Sequence, residues 1–476
     1  MKNNKVILGN IIKWLLIFFI CFVGYKLRIK NYSVVPRPGE SLDEYANAWS
    51  GLGLIKLGVP VGWSYINSEY YRPSFRYINV DNVYQTGIAF GNPFYLHMPW
   101  LDHPPGMGLL TGGFAYIKGA KVLEDASTIF IRKPMIYVGV INIFLLFLLA
   151  YSYYNYPVAI LASSIYAVSP LIVVSSRMPQ SENAFLSLFL ISTIFIRLFQ
   201  TKQKYSFLVL SAIFAGIGIW FKIPAIMISV SGFLMIFSSY KGKLVDRLKL
   251  SFSFGWMSLS LGLLPLLAYG LALDPKAFFQ VILFHSQRNY GIGITALYNL
   301  ITQSKITNSI GLTDGWVFFG WISWLILLVT NKNKNQKLLI SIPMFVAIIF
   351  YIFLGSEAYG WYAFIFFPWL ILSIASLFHQ SKKNISILCL LSVLITIPAQ
   401  ILINKLELIK AIPSFVNAWR WGFALYLFMV LTTYISKNKK MSYILNALIL
   451  IWLIIDLWLS IKYSLFLTPD KWFGVN

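Results

Sequence analysis

The sequence predicts an all-α, polytopic membrane protein with about 13 transmembrane helices, and three observations predict it. Charged residues are only 12% of the chain and hydrophobic ones 58%, whereas a soluble globular chain carries about 25% charged residues. Apolar runs recur along the whole chain, each near the ~20 residues that cross a bilayer core. Basic residues crowd into alternate linkers between these runs, the asymmetry by which membrane proteins set their orientation.

The elements follow in order. Lys2 and Lys5 precede an apolar stretch, as in a signal peptide, but Tyr25, Lys26 and Arg28 follow it and no small-x-small cleavage site is present. An uncleaved first helix is therefore expected at 8–26. Further helices are expected at 133–151, 157–174, 183–199, 206–221, 223–240, 250–273, 314–330, 338–354, 361–378, 385–403, 417–435 and 443–461.

Placing the N-terminus in the cytoplasm puts Lys2, Lys5 and Lys13 there, then Arg197, Lys202 and Lys204, then Lys241, Lys243, Arg247 and Lys249. It also gathers Lys332, Lys334 and Lys337, Lys382 and Lys383, and Lys437, Lys439 and Lys440. Asp246 is the only acid among them, so the charge pattern supports the alternation of the runs. Segments 28–132, 274–313, 355–360 and 404–416 then lie outside, with the tail 462–476. The cytoplasmic linkers are too short for a soluble fold, so residues 1–476 read as one transmembrane domain without a separate soluble part. No internal repeat or low-complexity linker divides it.

The net charge of +23 follows this linker placement and forms no basic stripe, which excludes nucleic acid as a partner. Cys21 and Cys389 both sit inside apolar runs and provide neither a disulfide framework nor a thiolate metal site.

The chemistry-bearing stretch is residues 28–105. It opens near Ser41-Leu42-Asp43-Glu44-Tyr45 and closes on Trp100-Leu101-Asp102-His103-Pro104-Pro105, with Glu69, Arg72, Arg76, Asp81 and His97 between. Residues 41–57 read as an interfacial helix, with Ser41 as N-cap and Glu44 closing an S-x-x-E capping box. Residues 104–118 read as a second interfacial or re-entrant piece. Asp43-Glu44 suits an N-terminal cap, a general base or a ligand for a divalent metal ion, and the sequence leaves these alternatives open. In Asp102-His103-Pro104-Pro105 the double proline fixes the backbone, so Asp102 and His103 have set positions facing either a turn or a phosphate.

Arg177 and Glu182 frame the turn before the fourth run, and Lys222 lies where the fifth meets the sixth. Charges at such depth snorkel, pair or meet a ligand. His285 and Arg288 follow an amphipathic stretch in the second large outer segment, and an arginine at headgroup level binds a lipid phosphate bidentately. Asp456 lies within the last run and reads as a polar packing contact outside the site.

Taken together, these motifs resemble the GT-C membrane glycosyltransferases of the protein O-mannosyltransferase and lipid A aminoarabinose transferase type. Asp43-Glu44 matches their acidic first-loop motif. Asp102-His103-Pro104-Pro105 is similar to an Asp-x-His-Pro-Pro element without the intervening residue, and His103 stands where the aminoarabinose branch has a lysine. Ser176-Arg177 with Glu182 resembles a Ser-Arg…Asp turn with Glu for Asp, and Gly218 to Pro224 resembles a lysine-containing junction. His285-Ser286-Gln287-Arg288 is similar to a His-x-x-Arg element, and Tyr359-Gly360-Trp361-Tyr362 with Pro368 resembles an Arg-Tyr…Pro stretch lacking the arginine.

The resemblance implies the GT-C fold and transfer of a sugar from a polyprenyl-phosphate carrier to a protein, lipid or glycan acceptor on the outer face of the cell membrane, with inversion. It implies Asp43 as base, aided by Glu44, and Arg288 at the departing phosphate. His103, Lys222, Asp102, Arg177 and His285 complete the donor-binding set. The alternative is a transporter or flippase of lipid-linked sugars, which predicts broken helices and ionisable groups near the bilayer midplane. Here the ionisable groups gather at outer helix ends. A non-catalytic assembly factor leaves Asp43, His103 and Arg288 without a role.

Overall fold

The computed structural model describes residues 2–41, 43–64, 73–78, 94–287, 293–302, 306, 312–354, 360–408 and 415–472. All thirteen apolar runs fall in helices, beginning with Lys2–Ile29, Lys133–Tyr153 and Ser181–Lys202 and ending with Lys439–Phe466. Among the described residues seven are long and apolar enough to cross a membrane, and four apolar helices are shorter. Proline accounts for one of the shorter helices, because it cannot continue the hydrogen-bond ladder. The run at 157–174 divides into Tyr156–Val168 and Pro170–Ser175. The run at 361–378 keeps membrane length, beginning as a 3-10 segment, Gly360–Phe366, before Phe367–Ser381.

Burial sorts these helices. The span Trp361–Ser381 is 89% buried and forms the centre of the bundle, whereas Leu244–Leu273 is 22% buried and turns most of its apolar surface outward. At the centre, Trp369 meets Phe189 edge-on at 5.3 Å, and Trp316 is fully enclosed.

Side-chain ties separate the two ends of the bundle. At one end Arg197 donates to the Ser152 carbonyl (3.0 Å), Gln200 to Ser239 (2.7 Å), Gln336 to the Tyr153 carbonyl (3.0 Å) and Tyr156 to the Lys13 carbonyl (3.2 Å). These ties join the linkers that carry the basic residues. The other end gathers residues 28–44, the turn at 175–182, Lys222 and the C-terminal turn.

The segment after the first helix has no regular structure, and two fully buried arginines, Arg132 and Arg177, supply donors to its carbonyls, while a third, Arg28, ties the end of the first helix to a neighbouring one. Arg28 donates to the Ala167 carbonyl (2.9 Å), Arg177 to Leu27 (2.8 Å) and Val35 (3.0 Å), and Arg132 to Tyr32 (3.0 Å) and Pro36 (2.6 Å). A guanidinium has five donors in a rigid fork, which suits it to collecting several carbonyls at once. This frame fixes where the next helix begins.

That helix, Asp43–Leu57, is enclosed by other parts of the protein, because every residue from Glu44 to Gly53 is buried. Its partner is Pro105–Ile117, and glycines let the two backbones touch. A Cβ on Gly51 would lie 1.9 Å from the Gly108 carbonyl oxygen, and one on Gly112 2.3 Å from that of Ala48. The expected capping box is corrected. Glu44 accepts from the Gly39 amide (3.0 Å) and from Arg132, while Ser41 accepts from Gln180 (2.6 Å).

The all-α expectation misses one feature, a small antiparallel sheet between these helices. Its strands are β1 (Gly62–Trp63), β2 (Pro73–Ile78) and β3 (Phe94–His97), in the order β1-β3-β2. Gly62 pairs with His97 and Trp63 with Leu96, while Pro73 also faces His97 and Ile78 faces Phe94. Aromatic and β-branched residues favour such a pleated edge. Glu69, Arg72 and Asp81 lie outside the described residues.

Candidate active site

The sheet leads to the site through one side chain. Trp100 follows β3, donates its indole N–H to the Trp63 carbonyl (2.9 Å) and lies over Gly62, where a Cβ would be 2.8 Å from the ring. His103 meets Trp100 edge-on, with ring centroids 5.6 Å apart. Asp102 beside it accepts from the Ser64 hydroxyl. Pro105 then starts the helix at its first turn, where a missing N–H costs nothing.

The Gly106 amide donates to the Trp220 carbonyl at 2.8 Å, which draws the His103 turn against the junction carrying Lys222. A Cβ on Gly106 would sit 2.6 Å from that carbonyl oxygen, so only glycine permits the approach. Gly106→Val is expected to part the two turns and cost about 1–3 kcal/mol through forced backbone movement. Thermal unfolding in detergent and a Lys222 crosslink to the 102–106 turn would measure the two effects.

The Lys222 ammonium pairs with Glu182 Oε1 at 2.5 Å and stands over the Tyr362 ring at 4.8 Å. Its side chain is 12% exposed and that of Glu182 1%. Burial pulls the ammonium down, but Glu182, Tyr362 and Asp43 together outweigh it and hold the group above its ordinary value. Asp43 therefore faces a cation that is already paired.

His103 stacks on His285 with centroids 6.3 Å apart and planes 14° from parallel. Burial, with Lys222 and then His285 adding, holds His103 well below the ordinary histidine value. Burial also pulls His285 down, to about 4, opposed by its hydrogen bond to the Asp102 backbone and reinforced by Lys222. Both rings are neutral at pH 7. They offer N–H donors to a ligand rather than charge, and His285 Nε2 has no partner among the described residues.

The structure thus brings together Asp43, Asp102, His103, Lys222 and His285 from the predicted set, with Glu182 and Tyr362. Glu44 and Arg177 are placed beside this group and engaged elsewhere. Glu44 is fully buried and held by Arg132 at 2.8 and 3.0 Å, and Arg177 is fully buried beneath the Leu27 and Val35 carbonyls. Asp456 lies away from the group, with its backbone carbonyl accepting from Ser460 (2.7 Å). Arg288 and Tyr359 lie outside the described residues. Arg132 is the functional neighbour that sequence reasoning missed. It reads as an ordinary basic residue ahead of Lys133-Pro134, and nothing local points to a partner 88 positions earlier.

Among the described residues no group of three or more His, Cys, Asp or Glu side chains is placed to hold a metal ion. The positive charge that Asp43 faces among the described residues is the Lys222 ammonium.

Comparisons with known proteins agree with this architecture. Residues 102–267 match the family of dolichyl-phosphate-mannose-protein mannosyltransferases. A search of curated proteins finds no match. Among solved structures, ArnT from Cupriavidus metallidurans bound to undecaprenyl phosphate is similar at a TM-score of 0.55 and 13% identity, over 97% of this chain and 77% of that one. Its apo form gives 0.53 and 14%, over 97% and 76%. The archaeal oligosaccharyltransferase AglB from Archaeoglobus fulgidus, in complex with an inhibitory peptide and a dolichol-phosphate, gives 0.47 and 12%, over 95% and 56%. The chain spans about half the length of the archaeal oligosaccharyltransferases it matches. The likeness to ArnT shows a shared fold.

Proposed function

For a polytopic membrane chain with the GT-C fold, similar to the protein mannosyltransferase and ArnT type, we propose a glycosyltransferase that moves a sugar from a polyprenyl-phosphate donor to an acceptor at the outer membrane face. The observation that carries this reading is the convergence of Asp43, Glu182, Lys222, His103 and His285 at the bundle end opposite the basic linkers.

In this reaction the Asp43 carboxylate takes the proton of an acceptor hydroxyl as its oxygen attacks the anomeric carbon. The bond from that carbon to the phosphate oxygen breaks, and its electron pair leaves with polyprenyl phosphate. Attack opposite the leaving group inverts the anomeric centre. His103 and His285 offer neutral donors to the departing phosphate, and Arg288 adds charge. Electrostatic help of this kind is strongest where water is excluded. Glu44 acts through Arg132 to set the start of the helix that carries Asp43.

The test supplies purified enzyme with a panel of polyprenyl-phosphate sugars and mixed acceptors and measures released polyprenyl phosphate. Asp43→Asn is expected to lower the rate by about 10²–10⁴-fold, the usual worth of a positioned base. Release that survives in Asp43→Asn would overturn the choice of base. No release with any donor, together with movement of sugar lipids across proteoliposomes, would replace the reading with a flippase.

A further inference from the structure

Beyond the site itself, the C-terminal turn returns to the segment that carries Asp43. Trp472 is 1% exposed, and its indole N–H donates to Glu40 Oε1 at 2.7 Å. Asn31 donates to the Leu467 carbonyl at 3.4 Å, and Leu467 is buried as well. The segment 31–44 is thus held on one side by Arg132, which takes the Tyr32 and Pro36 carbonyls and the Glu44 carboxylate, and on the other by the last helical turn, Pro469–Trp472. Only two residues separate Glu40 from Asp43.

We propose that Trp472, acting through Glu40, is a positioning residue for Asp43, so that the C-terminal turn is a strap whose docking sets the reacting carboxylate in place. Its catalytic meaning rests on the transferase reading above, while the mechanical coupling stands without it. An indole N–H given to a partly buried carboxyl is a specific tie. Phenylalanine keeps the packing at 472 and removes only the donor.

The strap is also sensitive to pH. Burial pushes the Glu40 carboxyl up to about 7, opposed by the Trp472 hydrogen bond and by Arg132, raised further by Glu44 and lowered by Arg37. Glu40 Oε2 has no hydrogen-bond partner among the described residues, as suits a carboxyl that keeps its proton. The Trp472 hydrogen bond by itself favours the ionised carboxyl, so the tighter proton binding comes from burial, and an opened arrangement that exposes Glu40 to water returns it toward its ordinary value. Docking is favoured below the undocked value and weakens as pH rises through about 7.

Hydrogen exchange with mass spectrometry on the full chain in detergent tests the coupling without activity, and sugar transfer tests its consequence. After correction for the chemical exchange rate, protection of 467–472 and of 31–47 in the parent should fall between about pH 6 and about pH 8. Trp472→Phe should speed exchange in both segments about fivefold or more, and lower kcat about tenfold at nearly unchanged KM. Glu40→Gln keeps an acceptor oxygen and cannot titrate, so its protection should be flat with pH.

Unchanged exchange at 31–47 in Trp472→Phe would overturn the proposal whatever the activity. Faster exchange with unchanged kcat would overturn the positioning role. A parent with no transferase activity but coupled exchange would sink the transferase reading and the catalytic half of the proposal, leaving the strap as a purely structural tie.

Discussion

Arg132→Met is expected to destabilise the fold by about 3–5 kcal/mol, because it leaves the Glu44 carboxylate buried without its counter-charge. Both side chains have no exposure, and the guanidinium fork meets the carboxylate at 2.8 and 3.0 Å. Arg132 also collects the Tyr32, Pro36 and Arg37 carbonyls, so its loss strips donors from the whole segment before Asp43. The converse change, Glu44→Gln, leaves a buried guanidinium that retains those carbonyls, and it should cost less. Replacing both with Met removes the uncompensated charges but still orphans the carbonyls, so the double variant should recover only part of the loss. Chemical denaturation in detergent would measure all three, and a double variant as stable as the parent would sink this account. Transfer activity separates the adjacent acids. Glu44→Gln should retain a reduced rate, since it perturbs only the placement of its neighbour.

Much of the architecture was legible because a membrane imposes strong rules. Apolar length located the runs, and charge asymmetry assigned alternate linkers to one side. The structure ties those linkers together through contacts such as Gln200 with Ser239 and Tyr156 with the Lys13 carbonyl. What the sequence hid were effects of long-range pairing. Ser41 and Glu44 fit a capping box locally, yet Arg132 and Gln180 lie where they capture both side chains, and a bidentate charged contact outweighs a cap. Residues 43–57 have an apolar spacing that suits an interface, but three glycines allow a second helix to cover the remaining face. The sheet escaped notice because β1 and β3 are only two and four residues long. Within the candidate site, Asp43, His103, Lys222 and His285 were singled out by residue type, position and motif resemblance, and the structure brings them near one another. Their electrostatics were not legible in the sequence, since a lysine expected to meet phosphate is already neutralised by Glu182.

That neutralisation predicts opposite responses from the two partners. Removing the cation with Lys222→Met leaves Asp43 and Glu182 facing each other with the same charge, and like charges resist ionising together. The acidic limb of the pH–rate profile, which reports the ionised base, should move upward, and the rate near pH 7 should fall about 10²-fold or more. Removing the competing acid with Glu182→Gln frees the ammonium to favour Asp43. The acidic limb should then move downward, while the base becomes weaker and the rate falls about tenfold. A purely structural pair would lower both rates and leave the two profiles unshifted. If Lys222 instead grips the donor phosphate, Lys222→Met should raise KM for the lipid donor and leave the limb in place. Opposed shifts at unchanged donor KM would identify Lys222–Glu182 as the pair that sets the basicity of Asp43.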